Sequence, residues 1–142
     1  MSKALSLLLL FCTLLFGADE GAINWNFKDE VELKKDQNAG YQIAIDDKIY
    51  TLTFRWTLFI NKGLVMLYKL EKFPYQNILY KDYKLNSFKI ELKNRAENAY
   101  YQPYALIVFK DFDQKKKIAT FSVLIRDEKR PLQAERFLPK AN

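Results

Sequence analysis

Residues 50–70 read YTLTFRWTLFINKGLVMLYKL. Apolar side chains fall on every second position, at Tyr50, Leu52, Phe54, Trp56, Leu58 and Ile60, with Thr51, Thr53, Arg55 and Thr57 between them. That period of two marks a strand with one buried face. Asn61-Lys62-Gly63 reads as a three-residue hairpin loop with Gly63 in the left-handed position. The loop then pairs Ile60 with Leu64, Leu58 with Met66, Trp56 with Tyr68 and Phe54 with Leu70, so four apolar pairs share one face. The same register sets Arg55 opposite Lys69, an unfavourable meeting of like charges, with Glu71 on the diagonal to relieve it.

Outward from this hairpin the alternation continues. Ile23, Trp25, Phe27, Val31 and Leu33 form an earlier strand, the turn Asp36–Gly40 follows, and Tyr41, Ile43 and Ile45 alternate up to a reversal at Asp46-Asp47-Lys48. Trp25 and Trp56 are expected in the core. Lys72-Phe73-Pro74-Tyr75 reads as a break, because proline cannot donate to a ladder, and residues 76–85 fit either a strand or a short helix. Phe88, Ile90 and Leu92 give a half-buried strand, and residues 94–99 a polar connection. In the next hairpin, strands 104–112 and 118–126 set Ala105, Ile107 and Phe109 against Ile125, Val123 and Phe121 around a turn at Asp113–Lys117. Many strands with almost no helical periodicity predict an all-β, antiparallel β-sandwich of seven or eight strands, with an open or closed β-barrel as second choice.

The N-terminus has another character. Lys3 is followed by an almost unbroken apolar run from Ala4 to Phe16, then by Gly17-Ala18 and Asp19-Glu20. This is the layout of a secretory signal peptide, and the run is shorter than the ~18 residues a spanning helix requires. Cys12 follows Leu9-Leu10-Phe11 rather than a small residue, so it reads as signal filler and not as a lipid attachment point. The predicted organisation is a signal peptide at 1–17, a single β-domain at 18–126 and an irregular C-terminal tail at 127–142. With a Lys-, Asn- and Tyr-rich composition, the chain reads as an exported, periplasmic or secreted protein of a bacterial envelope.

Composition excludes several chemistries. The 142 residues include no His and one Cys, and the formal charge is +6. Without His there is no Ser-His-Asp or Cys-His hydrolytic machinery, and with one Cys no internal disulfide or cysteine metal cluster. Four glycines form no phosphate-cradling motif. Asp46-Asp47 and Asp111-x-Asp113 lack the further ligands of a calcium loop, since Lys48 and Lys115 stand where oxygens are wanted. No enzyme activity, metal or cofactor is expected. Nucleic acid is not expected either, because Tyr104–Phe109 lacks the glycine and basic lead residue of an RNA-recognition strand.

What remains is surface. Phe73 and Tyr75, together with Tyr100, Tyr101 and Tyr104, are aromatics beside prolines in segments that interrupt strands, and they are candidate binding residues for a protein or glycan partner. Lys115, Lys116 and Lys117 at a hairpin tip are candidates for an anionic membrane or wall surface. The expected function is therefore a non-enzymatic binding or accessory module for another envelope protein or glycan. The alternatives are electrostatic docking on an anionic membrane or wall, and carriage of a small apolar ligand.

Overall fold

The computed structural model describes residues 23–92 and 102–139, so the predicted signal peptide lies outside the described residues. Among the described residues nine strands follow one another: β1 (Phe27–Lys34), β2 (Ala39–Ile45), β3 (Lys48–Ile60), β4 (Gly63–Leu70), β5 (Phe73–Tyr80), β6 (Ser87–Glu91), β7 (Tyr104–Asp113), β8 (Ile118–Arg126) and β9 (Leu132–Phe137). They form two antiparallel sheets, one of order β1-β8-β7-β6 and one of order β5-β4-β3-β2-β9. The sheets do not close into a barrel, and the fold is a β-sandwich. Successive strands alternate in direction, so the odd connections lie at one end of the sandwich and the even connections at the other.

The core is the meeting of the two inner faces. Tyr41, Ile43, Leu52, Phe54, Leu64 and Met66 of the five-stranded sheet pack against Ile107, Phe109, Phe121, Val123 and Ile125 of the other. The register of β7 with β8 is the expected one, Ala105–Ile125, Ile107–Val123 and Phe109–Phe121. Phe54 stands at the centre, stacked on Tyr41 at 6.2 Å and edge-on to Phe121 of the opposite sheet at 5.4 Å. Trp56 is buried and its indole N–H donates to the Leu33 carbonyl at 2.8 Å, tying β3 to β1. Trp25, in contrast, is outside the core, half-buried and edge-on to Tyr104 at 5.8 Å.

The β3–β4 hairpin departs from the expected register. Asn61 and Lys62 alone make the loop, both with left-handed backbone (φ 49° and 63°), while Gly63 is the first residue of β4 and has no positive φ. This is the two-residue turn whose twist suits an antiparallel pair. It pairs Ile60 with Gly63, Phe59 with Leu64 and Leu58 with Val65; a bulge at Thr57 then restores Trp56–Met66, Phe54–Tyr68 and Leu52–Leu70. One extra residue inverts the alternation beyond it. Leu58 and Ile60 therefore point into water, 48% and 56% exposed, and Phe59 turns inward. A second bulge at Lys110 does the same to β7, and the two inverted rings, Phe59 and Phe112, stack at 4.0 Å beside Trp56.

Two segments read as irregular are strands. Phe73-Pro74-Tyr75 begins β5, an edge strand, where the missing proline N–H costs no ladder bond. Residues 132–137, within the predicted tail, form β9 and pair with β2. Arg130 fastens this last strand: it bonds Asp46 at 2.7 Å in the β2–β3 turn and contacts Asp127 at 3.4 Å, whose other carboxylate oxygen accepts the backbone N–H of Lys129 and Arg130. At the sheet edge Arg136 reaches Asp29 at 3.3 Å, and the Tyr41 hydroxyl donates to the same carboxylate at 2.9 Å.

Burial pushes the Tyr41 phenol well above the ordinary tyrosine range, and the bond to Asp29 pushes it further. A raised folded-state value makes its contribution to stability complete below the unfolded value of about 10 and lost progressively as the pH rises above it. Tyr41→Phe should therefore flatten the fall in urea midpoint above about pH 10, at a cost near neutrality of about 1 kcal/mol for the lost hydrogen bond. Denaturation curves of both proteins across that range check this.

Candidate functional site

The residues singled out from sequence are dispersed. Phe73 and Tyr75 stand on the inner-face side of β5 at the open edge of the sandwich, and Phe73 is 67% exposed. Tyr75 stacks on Tyr68 at 5.1 Å, and Tyr68 leans on Phe88 of the other sheet at 4.8 Å, so three rings bridge the two sheets at that edge. Burial raises the Tyr68 phenol, and Tyr75 adds to the rise. Tyr104 lies elsewhere, on the outer face of the four-stranded sheet, with the Lys89 ammonium 4.4 Å from its ring centre. Phe73 and Tyr75 thus form no common patch with Tyr104, and Tyr100 and Tyr101 lie outside the described residues.

Lys115, Lys116 and Lys117 occupy the exposed β7–β8 turn as expected. Asp113 shapes the turn by accepting the N–H groups of Lys115 and Lys116, both at 2.9 Å. Asp111 is engaged by Lys81, which holds its carboxyl below the usual range through that hydrogen bond, with a backbone bond from Phe112 assisting. The four connections at this end, residues 35–38, 61–62, 81–86 and 114–117, hold seven lysines against Asp36 and Asp82. Among described residues the connections of the opposite end, 46–47, 71–72 and 127–131, carry five acids and three bases. The described connections are thus basic at one end of the strands and acidic at the other.

The outer face of the five-stranded sheet holds two features that the sequence reading did not place. The first is an apolar band. Because the Thr57 bulge inverts the end of β3, Leu58 and Ile60 emerge beside Val65 and Leu67 of β4, and Ile78 of β5 (43% exposed) lies across from Val65. Tyr80 closes the band by laying its ring over Gly63, where a Cβ atom would stand 2.9 Å from the ring.

The second feature is a groove beside that band. It encloses roughly 420 Å³ and is lined by Thr51, Thr53 and Arg55 of β3, Leu67 and Lys69 of β4, Pro74 and Tyr75 of β5, and Phe137 and Pro139 at the chain's far end. The true register sets Arg55 opposite Leu67 and Lys69 opposite Thr53, so the two cations are diagonal neighbours rather than facing ones. Glu71 does not relieve them; it accepts the backbone N–H of Thr51. Among the described residues neither Arg55 nor Lys69 has an ion-pair partner, and none of those lining the groove carries a carboxylate. Gly40 leaves room for the wall: a Cβ there would sit 2.6 Å from the Phe137 ring and 2.8 Å from Pro139, so any other residue would make these two side chains shift.

Comparison with protein-family models, with characterised proteins and with solved structures found no match. The functional reading therefore stands on this chain's own surface. Among the described residues no three His, Cys, Asp or Glu side chains gather as a metal site.

Proposed function

We propose that this chain is an exported, non-enzymatic binding module that docks another envelope protein through the outer face of its five-stranded sheet. The observation that carries the reading is the apolar band of Leu58, Ile60, Val65, Leu67 and Ile78 on a face that alternation alone would leave polar. Contiguous exposed apolar side chains on a folded domain commonly mark a contact surface. Arg55 and Lys69, which have no acidic partner among the described residues, lie next to the band. The partner that fits is a protein presenting apolar side chains rimmed by carboxylates, the rim serving orientation and encounter rate more than affinity. The N-terminal apolar run supports export, and the absence of His supports a role without acid–base catalysis.

The test is crosslinking of the mature protein in its own envelope, at low and high salt, with two variants beside the wild type. Leu58→Ser with Ile78→Ser should lose the captured partner, while the triple replacement of Lys115, Lys116 and Lys117 by Ser should keep it. Both residues of the first pair already face water, so each change should move stability by no more than about 0.5 kcal/mol, which urea denaturation verifies. A partner retained by the Leu58/Ile78 pair sinks the reading.

A second reading has its own observation, the seven lysines at one end of the sandwich. It makes the protein an electrostatic dock on an anionic membrane or wall polymer. Exposed charges are screened beyond about 10 Å at 0.1 M salt, so this reading predicts release by a few hundred millimolar salt and loss on replacing the three turn lysines.

A further inference from the structure

We propose that the groove between Arg55, Lys69 and Phe137 is a binding site for a small organic carboxylate with an apolar body. Three observations converge. Two cations line one concavity with no acid among its lining residues. As diagonal neighbours on adjacent strands they repel each other, and a bound anion turns that repulsion into attraction. Arg55 is half-buried and lines the groove, and the planar fork of a guanidinium suits a carboxylate, which it can bond through two parallel N–H groups.

The rest of the lining selects the ligand class. Thr51 and Thr53 bring hydroxyl groups to the floor next to the cations. Phe137, Pro139, Leu67 and Pro74 supply apolar walls on either side. The volume of roughly 420 Å³ falls within the range of about 300–1,000 Å³ typical of small-molecule sites. One guanidinium and one ammonium match a single carboxylate, and the walls match an aryl or alkyl body attached to it. An inorganic oxyanion satisfies the cations and leaves the apolar walls wet. Gly40 matters to this site because the Phe137 ring and Pro139 lie over it, where a Cβ would crowd them.

The experiment is an amide and guanidinium NMR titration of the mature protein with three probes: 4-phenylbutyrate, its neutral amide, and inorganic phosphate. Saturable shifts at Thr51, Thr53 and the Arg55 side chain are expected with 4-phenylbutyrate. The neutral amide should bind at least about tenfold more weakly, the usual consequence of losing a charge-assisted pair. Arg55→Gln should weaken 4-phenylbutyrate by at least about tenfold, and Lys69→Gln by a smaller factor. If Arg55→Gln does not give a folded spectrum, Lys69→Gln combined with Thr53→Val carries the same test. Equal binding of the amide would reduce the groove to an apolar hollow, and equal binding of phosphate would make it a general oxyanion site; either result overturns the proposal, as does absence of saturation with all three. Leu58→Ser with Ile78→Ser should leave 4-phenylbutyrate binding unchanged, so failure of the docking reading and failure of this one are separable.

Discussion

Replacing Phe54 by Ala should remove about 3–5 kcal/mol of stability, the usual cost of emptying a fully buried aromatic site. The site cannot collapse easily, because Phe54 is held on one side by Tyr41 of its own sheet and on the other by Phe121 of the opposite sheet. Domains of this kind hold a total of about 5–15 kcal/mol, so the variant loses a large part of what keeps it folded. Urea denaturation measures it. The matched control is Phe73→Ala, the same chemical change at a ring that is largely in water, which should leave the urea midpoint close to the wild type. Similar losses at both positions would mean that the two inner faces do not meet as described.

The second large effect comes from deleting single residues of β3. Removing Thr53 joins Leu52 to Phe54 and inverts the faces of everything before it, so Tyr50 and Leu52 leave the core or the ladder with β2 breaks. Each fully buried side chain of this size contributes about 1.5–3 kcal/mol by leaving water, and the pairing is lost with it, so the chain should fail to fold. Removing Thr57 should be tolerated. It is the unpaired residue of the bulge, and without it Trp56–Met66 and Leu58–Val65 become consecutive pairs with every side chain on its present face. Circular dichroism and thermal melting of the two deletions separate these outcomes. A folded Thr53 deletion or an unfolded Thr57 deletion contradicts the register.

The same bulge explains what was legible in the sequence. The β7–β8 register is readable because Ala105, Ile107 and Phe109 meet Phe121, Val123 and Ile125 with no irregularity before Phe109. The β3–β4 register is misread because Gly63 invites a three-residue loop, whereas Asn61 and Lys62 both take the left-handed conformation and close the turn alone. A local sign of the inversion exists in Leu58-Phe59-Ile60: three consecutive apolar residues do not fit a strand with one wet face. β9 is hidden for another reason. Its inward row runs Leu132, Ala134, Arg136, and the arginine is inward because Asp29 and the Tyr41 hydroxyl meet it at the sheet edge. No hydrophobic alternation announces such a strand. The groove is invisible for the same reason, since Phe137 and Pro139 come from a stretch that lacks a pattern. In the sequence Arg55 and Lys69 stand out only as facing like charges that Glu71 would relieve, not as two sides of one hollow.

Strand order has a consequence for how the chain reaches this state. From β2 to β5 each strand is bonded to its neighbour in sequence, and β6, β7 and β8 are linked in the same way, so two blocks can zip locally through short turns. The two remaining pairings join distant parts: Val31 waits for Phe121, and Ile43 waits for Ala134. Long-range pairings of this kind come late and leave strand edges bare until they form. β1 is therefore without its partner until β8 has been made. A chain interrupted before residue 118 holds β1 with both edges open and β2 with one, and is the form most exposed to pairing with a stranger.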